Sequence, residues 1–278
     1  MIKIIHRMVN VFFLGEFHFF SEIWEKRYAI YQLVRRDLTE RYIGSYFGLG
    51  WVFIQQILML GVMWFVLQVG LKVQPSGSIP FLAWIVPAAV IWAFFFEAVN
   101  TSSNAVLHYS YIVKKINFKL SVLPLVKVLS AAFIHFILLA VAVVVLILFK
   151  VYPSFFWIQS LYYFFACVCL ALGIGWLMSA IMVFFRDLAA GIGILLGVLT
   201  WLTPIYWNME MLPPQYKILC YLNPVSYLTE GYRRSFLYEI PFWKDPLWTL
   251  YFWSVTFSFM AAGTFVFRKL KPHFTDVL

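Results

Sequence analysis

The chain has 278 residues, of which 63% are hydrophobic and only 12% are Asp, Glu, Lys or Arg. Soluble domains carry about 25% charged residues, so this composition excludes a water-soluble globular protein. The formal net charge of +9 reflects an excess of Lys and Arg, whose positions along the chain indicate the topology in a membrane.

Six segments of the chain, each longer than twenty residues, contain no Asp, Glu, Lys or Arg. Because an α-helix rises about 1.5 Å per residue, about 20 apolar residues cross a hydrocarbon layer about 30 Å thick. We therefore expect an all-α integral membrane protein, a single polytopic domain over residues 1–278 with six transmembrane helices. The predicted spans are, in chain order, about 47–71, 80–99, 124–149, 157–184, 188–207 and 247–267.

Basic residues are divided unequally between the two sides of these spans. If the N-terminus is inside, fifteen of the 21 Lys and Arg residues fall on the cytoplasmic side. Cytoplasmic loops of membrane proteins carry an excess of Lys and Arg. Both termini are therefore predicted to lie in the cytoplasm.

Residues 1–26 precede the first span and have the pattern of an amphipathic helix. Apolar side chains from Ile2 to Trp24 recur at helical spacing, and charged side chains such as Lys3 and Arg7 fall on the opposite face. This pattern is typical of a helix that lies in the membrane interface. Such a helix either anchors the chain or takes part in gating and lipid access, and the sequence leaves both interpretations open.

Residues 28–45 form a juxtamembrane segment in which charge lies on several helix faces. The charged residues of its middle part are Arg35, Arg36, Asp37, Glu40 and Arg41. This distribution favours a polar partner, and the place of the segment just before the first span would let a soluble protein push on that span. The alternative is a solvated helix attracted to anionic lipid.

A second polar segment, residues 100–123, joins the second and third spans on the cytoplasmic side. It is long enough for a short helix and becomes basic at Lys114, Lys115 and Lys119. Pro124 follows it and suits the first turn of the third span. The segment is therefore a second candidate docking surface for a cytoplasmic partner.

Small residues recur at four-residue spacing in two spans: Ala171, Gly175 and Ser179 in the fourth, and Gly193 and Gly197 in the fifth. Small side chains at this interval let helix backbones approach closely in a membrane. We therefore expect close helix packing at these positions. A phosphate-binding loop is excluded, because the glycines lie inside apolar helices and the chain has no Walker A motif.

Residues 208–246, between the fifth and sixth spans, are too long for a turn and too aromatic for a linker. Two short amphipathic helices, broken at Asn223 and Pro224, fit this segment. We expect a re-entrant helical hairpin that dips back into the outer leaflet, since irregular backbone is tolerated there when protein covers it. A simple capping domain on the outer surface is the alternative.

Side chains that would indicate an enzyme are scattered along this chain. The sequence has no convincing carboxylate pair, and its five His and three Cys residues match neither a zinc site nor a catalytic triad. We therefore predict no catalytic residue, no metal, no nucleic acid and no cofactor on this chain. A membrane-embedded glycolipid-modifying enzyme would need a cluster of acids or histidines. The energy source is expected on another chain.

Short motifs along the chain resemble a known family. Arg36-Asp37-Leu38, Arg41-Tyr42, Gly44-Ser45 and Gly48 ahead of Trp51 resemble the opening of the membrane subunits of bacterial ABC exporters of polysaccharides. Further motifs of that family recur in order: Leu123-Pro124-Leu125, Arg186-Asp187-Leu188, Thr203-Pro204-Ile205-Tyr206, Leu212-Pro213, Leu222-Asn223-Pro224-Val225 and the downstream Arg233. The resemblance covers nearly the whole chain.

The resemblance implies a permease subunit of the O-antigen, capsule and teichoic acid export family in the bacterial cytoplasmic (inner) membrane. Such a subunit is a homodimer bound to two copies of a cytoplasmic ATPase, which carry the ATP and Mg, and it exports a lipid-linked polysaccharide. The cytoplasmic opening is closer to the O-antigen and capsule permeases. A teichoic acid permease, or a drug or antibiotic exporter of the same superfamily, is the alternative.

The resemblance also implies where the ATPase docks. The helix Asn100 to Leu120 is expected to seat in the ATPase groove, with the segment Arg35 to Arg41 beside it. The ATPase-coupling residues are then Arg35, Arg36, Asp37, Arg41, Lys114 and Lys115.

Two further sets of residues are candidates for binding the exported molecule. Cations at the inner mouth suit a pyrophosphate headgroup, and the residues available are Arg35, Arg36 and Lys119. Carbohydrate stacks on aromatic rings, and the candidates for a glycan channel are Tyr46, Trp51, Phe53, Trp64, Trp201, Tyr206 and Trp207. Lipid-facing belts and core packing are the alternative explanation for these rings.

Overall fold

The computed structural model describes residues 27–42, 46–48, 50–72, 79–110 and 120–278. The chain divides into two compact units, residues 1–43 and residues 44–278. The predicted interfacial helix at 1–26 lies outside the described residues, as do Lys114, Lys115 and Lys119.

Every regular element in the described ranges is helical. The first unit contains α1 (Arg27–Tyr42). The helices of the second unit are α2 (Gly50–Trp64), α3 (Phe81–Ser103), α4 (Ala105–His108), α5 (Val122–Leu148), α6 (Gln159–Met182), α7 (Leu188–Leu202), α8 (Lys217–Leu222), α9 (Pro224–Arg233), α10 (Pro246–Leu270) and α11 (Phe274–Val277). A π-helical stretch, Phe65–Gly70, continues α2, and another, Arg234–Tyr238, continues α9.

Among the described residues, five helices are long and apolar enough to cross a membrane. They are Gly50–Gly70, Phe81–Ser103, Val122–Leu148, Phe155–Met182 and the helix that begins at Pro246. α7 is shorter, at 15 residues, and spans about 22 Å of a layer about 30 Å thick. Five of the six predicted spans therefore correspond to helices of sufficient length, and the fifth in chain order does not.

The early end of α7 has a local cause. Thr203 is extended, with ψ of 135°, because the residue before a proline is disfavoured in the helical region. Pro204 itself lacks the backbone N–H that would continue the helix. The helix therefore ends at Leu202, although the sequence predicts a span that continues to residue 207.

α3 is the central helix of the second unit. It packs against both α5 and α6, and α6 packs against α10. Glycines allow two of these close approaches: a Cβ at Gly173 of α6 would lie 2.8 Å from the Met260 nitrogen of α10, and a Cβ at Gly175 would overlap the Ser102 side chain of α3. Close packing at Gly175 agrees with the small-residue pattern.

α2 and α7 have little of their surface covered. Met63 is the buried residue of α2, and Ile192 and Leu196 are the buried residues of α7. A Cβ at Gly193 or Gly197 would have no neighbouring atom within 4 Å. The expected close packing at these two glycines is therefore not made by the described part of this chain.

Candidate functional site

The segment between α7 and α10, residues 203–245, carries the motifs that the sequence marked as an outer element. Two helices, α8 and α9, lie on either side of Asn223, at the position where the sequence predicts a break. α8 leaves most of its side chains exposed, whereas α9 buries Val225 to Thr229 and Gly231 to Arg233. α9 packs against α3, α6 and α10, so it belongs to the interior of the helix bundle.

Asn223 and Pro224 make the break between the two helices. The Asn223 side-chain oxygen accepts a hydrogen bond from the Val225 nitrogen at 3.0 Å, which caps the first turn of α9. Pro224 occupies the first turn, where its missing N–H costs nothing. The Asn223 amide nitrogen also donates to the Thr203 hydroxyl at 2.9 Å. Asn223 therefore joins the start of α9 to the end of α7.

Arg233, at the end of α9, is fully buried. Its guanidinium donates to the carbonyl oxygens of Pro204 at 2.6 Å and of Ile205, and to that of Trp84 at 3.4 Å. It also pairs with the Glu230 carboxylate one turn earlier in α9. The guanidinium carbon lies 3.6 Å from the centroid of the Trp84 ring. One cation thus contacts α3, α9 and the turn after α7.

These contacts account for a buried charge in an apolar bundle. An unpaired cation away from water costs several kcal/mol, roughly the scale of the desolvation penalty. Arg233 has both a counter-charge in Glu230 and carbonyl acceptors. The Trp84 indole, which forms the flat face of the site, is itself held by a 2.8 Å hydrogen bond to the Tyr238 hydroxyl. The cluster is therefore electrically and geometrically satisfied.

α9 reaches deep into the bundle. The Tyr232 hydroxyl lies 3.0 Å from Nε2 of His135, and His135 is the middle residue of α5. The His135 ring also stacks on Phe164 of α6, with centroids 4.9 Å apart. A segment that follows the fifth predicted span therefore contacts the centre of the third.

Polar side chains of α6 and α10 hold the rest of the segment. Gln159 donates to the Ile240 carbonyl at 3.1 Å and accepts from the Phe242 nitrogen at 2.8 Å. The Tyr227 hydroxyl lies 3.0 Å from that of Tyr162 and 3.1 Å from that of Thr249. Hydrogen bonds thus hold α9 and the segment between α9 and α10 at several positions.

In the first unit, α1 carries the charges that the sequence assigned to ATPase coupling. The Arg36 Nε donates to Glu40 at 2.5 Å, and Arg41 lies 3.9 Å from Asp37, each pair being spaced by four residues. Arg35 and Arg36 are exposed, and Asp37 is buried. The exposed arginines are therefore accessible on α1.

The aromatic candidates for a glycan channel fall into two groups. Tyr46, Trp51 and Trp201 are exposed, and so is Trp64 at 37%. Phe53 and Trp207 are partly exposed, and the Trp207 indole donates to the Trp201 carbonyl at 3.0 Å. Tyr206 differs, because its side chain is buried at 4% exposure. Tyr206 therefore packs against other residues of this chain, and its place in a glycan channel stays a prediction.

Side chains suited to a metal do not cluster within the described part of the chain, where no three His, Cys, Asp or Glu residues come together. Of the cluster at Arg233, the sequence predicted Asn223, Pro224 and Arg233, and it missed Trp84, Glu230 and Tyr238. The Glu230–Arg233 spacing of three residues is the one signal that would have found a partner.

Comparison with known proteins gives the family. The profile of the ABC-2 type transporter family matches residues 28–237. An O-antigen export system permease protein RfbA of Klebsiella pneumoniae is 25% identical over 254 residues, which cover 88% of this chain and 93% of the relative. A protein of the same name from Myxococcus xanthus is 24% identical over 252 residues, covering 89% of this chain and 95% of the relative. The chain therefore belongs to the ABC-2 type transporter family.

Proposed function

We propose that this chain is the permease subunit of an exporter that carries a lipid-linked cell-surface polysaccharide across the bacterial cytoplasmic membrane. O-antigen or capsule is the proposed cargo. The observation that carries the proposal is the alignment with O-antigen export permeases over about nine-tenths of both chains. A separate ATPase, in two copies, supplies ATP and Mg, and the permease is a homodimer.

Six spans and cytoplasmic termini are part of this proposal. α7 is short for a span, but Thr203 to Tyr206 continue it as buried irregular backbone whose carbonyls are hydrogen-bonded by Arg233. Irregular backbone at membrane depth is tolerated when protein covers it. The distribution of Lys and Arg supports an N-terminus on the cytoplasmic side.

The outer segment is proposed to be re-entrant. The contact between Tyr232 and the middle residue of α5 supports this over a capping domain on the outer surface. A capping domain would contact the outer ends of the spans and leave their centres to other helices.

The exposed faces of α2 and α7 support a second copy of this chain as their neighbour. Their small and aromatic residues would border the path of the glycan, and the exposed rings of Trp51, Trp64 and Trp201 are the proposed stacking positions. Arg35 and Arg36 are proposed to meet the ATPase or the headgroup of the lipid carrier.

The test is reconstitution of this chain with its ATPase in inside-out vesicles that contain the lipid-linked polysaccharide. Addition of ATP should make the glycan resistant to an external glycosidase, because export moves it into the lumen. Vesicles whose ATPase carries a substituted Walker A lysine are the control. Transport of a drug with no protection of any glycan would contradict the proposal.

A further inference from the structure

The outer end of α7 is attached to the bundle both by the burial of residues 203–206 and by hydrogen bonds. Along its length α7 buries Ile192 and Leu196. Beyond Leu202 the backbone turns, with the Ile205 nitrogen bonded to the Thr203 carbonyl at 2.7 Å. The carbonyls of Pro204 and Ile205 then accept from Arg233, and the Thr203 hydroxyl accepts from Asn223. Both of these side chains belong to the α8–α9 segment.

The same guanidinium continues to α3. Its Nε donates to the Trp84 carbonyl, and its guanidinium carbon lies 3.6 Å from the centroid of the Trp84 ring. Trp84 stands in the first turn of α3, the helix that is buried along most of its length. Arg233 therefore connects the turn after α7 to the central helix of the bundle.

We propose that Arg233 is a positioning residue that holds the outer end of α7 against α3, with Asn223 as a second tie, so that the two helices move as one body during transport. This inference rests on the proposed function, because it assigns the held helix to the wall of the export path. The residue touches no cargo. It acts through the position of α7.

Arginine is required for this role because of its shape. Its planar fork presents five N–H donors in fixed directions, whereas lysine offers a compact ammonium on a flexible stem. A lysine at this position retains the charge and a pair with Glu230. It cannot serve the Pro204, Ile205 and Trp84 carbonyls together. Arg233→Lys is thus expected to fold with the outer end of α7 less firmly held.

The experiment measures the distance between α7 and the bundle in the complete complex with its ATPase. Spin labels are placed at Leu202, the last residue of α7, and at Leu148, the last residue of α5, both of which are exposed. Cys167, Cys169 and Cys220 are first replaced, and labelled protein is diluted with unlabelled protein. The unsubstituted arginine should give a narrow distance distribution, and Arg233→Lys should broaden it severalfold.

A matched control is Arg234→Lys, one residue further along. Arg234 pairs with Asp245 at 2.5 Å, a contact that lysine can also make, so the distribution should stay narrow. The second readout is the amount of glycan exported per ATP hydrolysed. It should fall in Arg233→Lys and not in Arg234→Lys, even where the two proteins unfold at the same temperature.

An unchanged distribution in folded Arg233→Lys would overturn the inference. If that variant fails to fold, Asn223→Ser decides in its place, since serine still caps α9 but is too short to reach Thr203. A broader Leu202–Leu148 distance distribution in Asn223→Ser supports the inference, and a distribution of unchanged width overturns it. Failure of the unsubstituted complex to export any glycan would instead overturn the proposed function, and the distance comparison would still decide the role of Arg233.

Discussion

Arg233 could be recognised from the sequence, but its partners could not. A charged residue in an apolar bundle marks a functional position, and the resemblance pointed to it together with Asn223. Its carbonyl partner in α3 is separated from it by 149 positions. No local pattern encodes a contact with a backbone carbonyl at that separation, so Trp84 could be found only from the three-dimensional packing.

Gly231 lies at a close contact between α9 and α6. A Cβ at this position would overlap the ring of Tyr163 in α6, and that ring is itself buried. The absence of a side chain at Gly231 therefore sets the distance between the two helices. Gly191 in α7 is the opposite case, because no atom lies within 4 Å of its added Cβ.

We expect Gly231→Ala to destabilise the protein by about 1–3 kcal/mol, the usual cost of overpacking a filled interior. Gly191→Ala should leave stability unchanged or raise it by up to about 1 kcal/mol, since alanine is the better helix former. Thermal unfolding of both variants in the same detergent makes the comparison. Equal unfolding temperatures would contradict the close approach of α9 to α6.

At the scale of elements, the sequence predicted the long apolar helices, but it did not predict where α7 ends and irregular backbone begins. Long apolar runs predicted the positions of α2, α3, α5, α6 and α10. The end of α7 was predicted five residues too late, although Pro204 carried the signal for an earlier end. The predicted span followed the uncharged residues 188–209 and ignored the helix-ending effect of Pro204.

Lys127, near the start of α5, is buried at 5% exposure, and its Nζ lies 5.0 Å from the centroid of the Tyr109 ring. A cation over an aromatic face has an alternative to water. Tyr109 belongs to the segment 100–123, where the sequence predicts a short helix but gives no sign of this contact.

α1 offers an element-scale test of ATPase coupling. Arg36→Glu inverts an exposed charge and is expected to reduce export per ATP hydrolysed, because the proposed docking surface loses its positive charge. The substitution also sets two glutamates four residues apart, which costs about 0.2–0.5 kcal/mol of helix stability. ATP hydrolysis and glycan protection are measured in the same vesicles.

The double variant Arg36→Glu with Glu40→Arg separates these two effects. It restores an opposite-charge pair at the spacing seen between Arg36 and Glu40, while position 36 remains negative. If Arg36 contacts the ATPase, the double variant stays uncoupled. Recovery of normal coupling would mean that the ion pair within α1 is what matters, and would contradict docking through Arg36.

At the scale of the whole molecule, composition predicted an integral membrane protein but not which segments lie in its interior. A chain with 12% charged residues must use the bilayer as solvent. Composition does not indicate whether residues 203–245 lie inside the helix bundle or on its surface. Their burial depends on contacts between helices far apart in sequence, as between Tyr232 and His135. The outward faces of α2 and α7 are likewise visible only once the other helices are packed.

A prediction for the assembled molecule follows from the open glycines of α7. Gly193 and Gly197 are four residues apart, and an added Cβ at either would meet no atom of the described residues within 4 Å. In a membrane, small residues at this interval allow another helix to approach closely. If a second copy binds at this face, a bulky side chain at Gly197 should separate the two copies and leave each one folded.

We expect Gly197→Leu to weaken the homodimer by about 1–3 kcal/mol, the cost of overpacking a close contact, and hence by about one to two orders of magnitude in association. Ala140→Leu, which adds the same branched side chain at an exposed position of α5, is the control and should leave the dimer intact. The mass of the detergent-solubilised protein over a concentration series gives the dissociation constant. Because Gly197 has open space around it in the single chain, the unfolding temperature of the monomer should not change. Equal dissociation constants for the two variants would mean that lipid, and not a second copy, covers this face of α7.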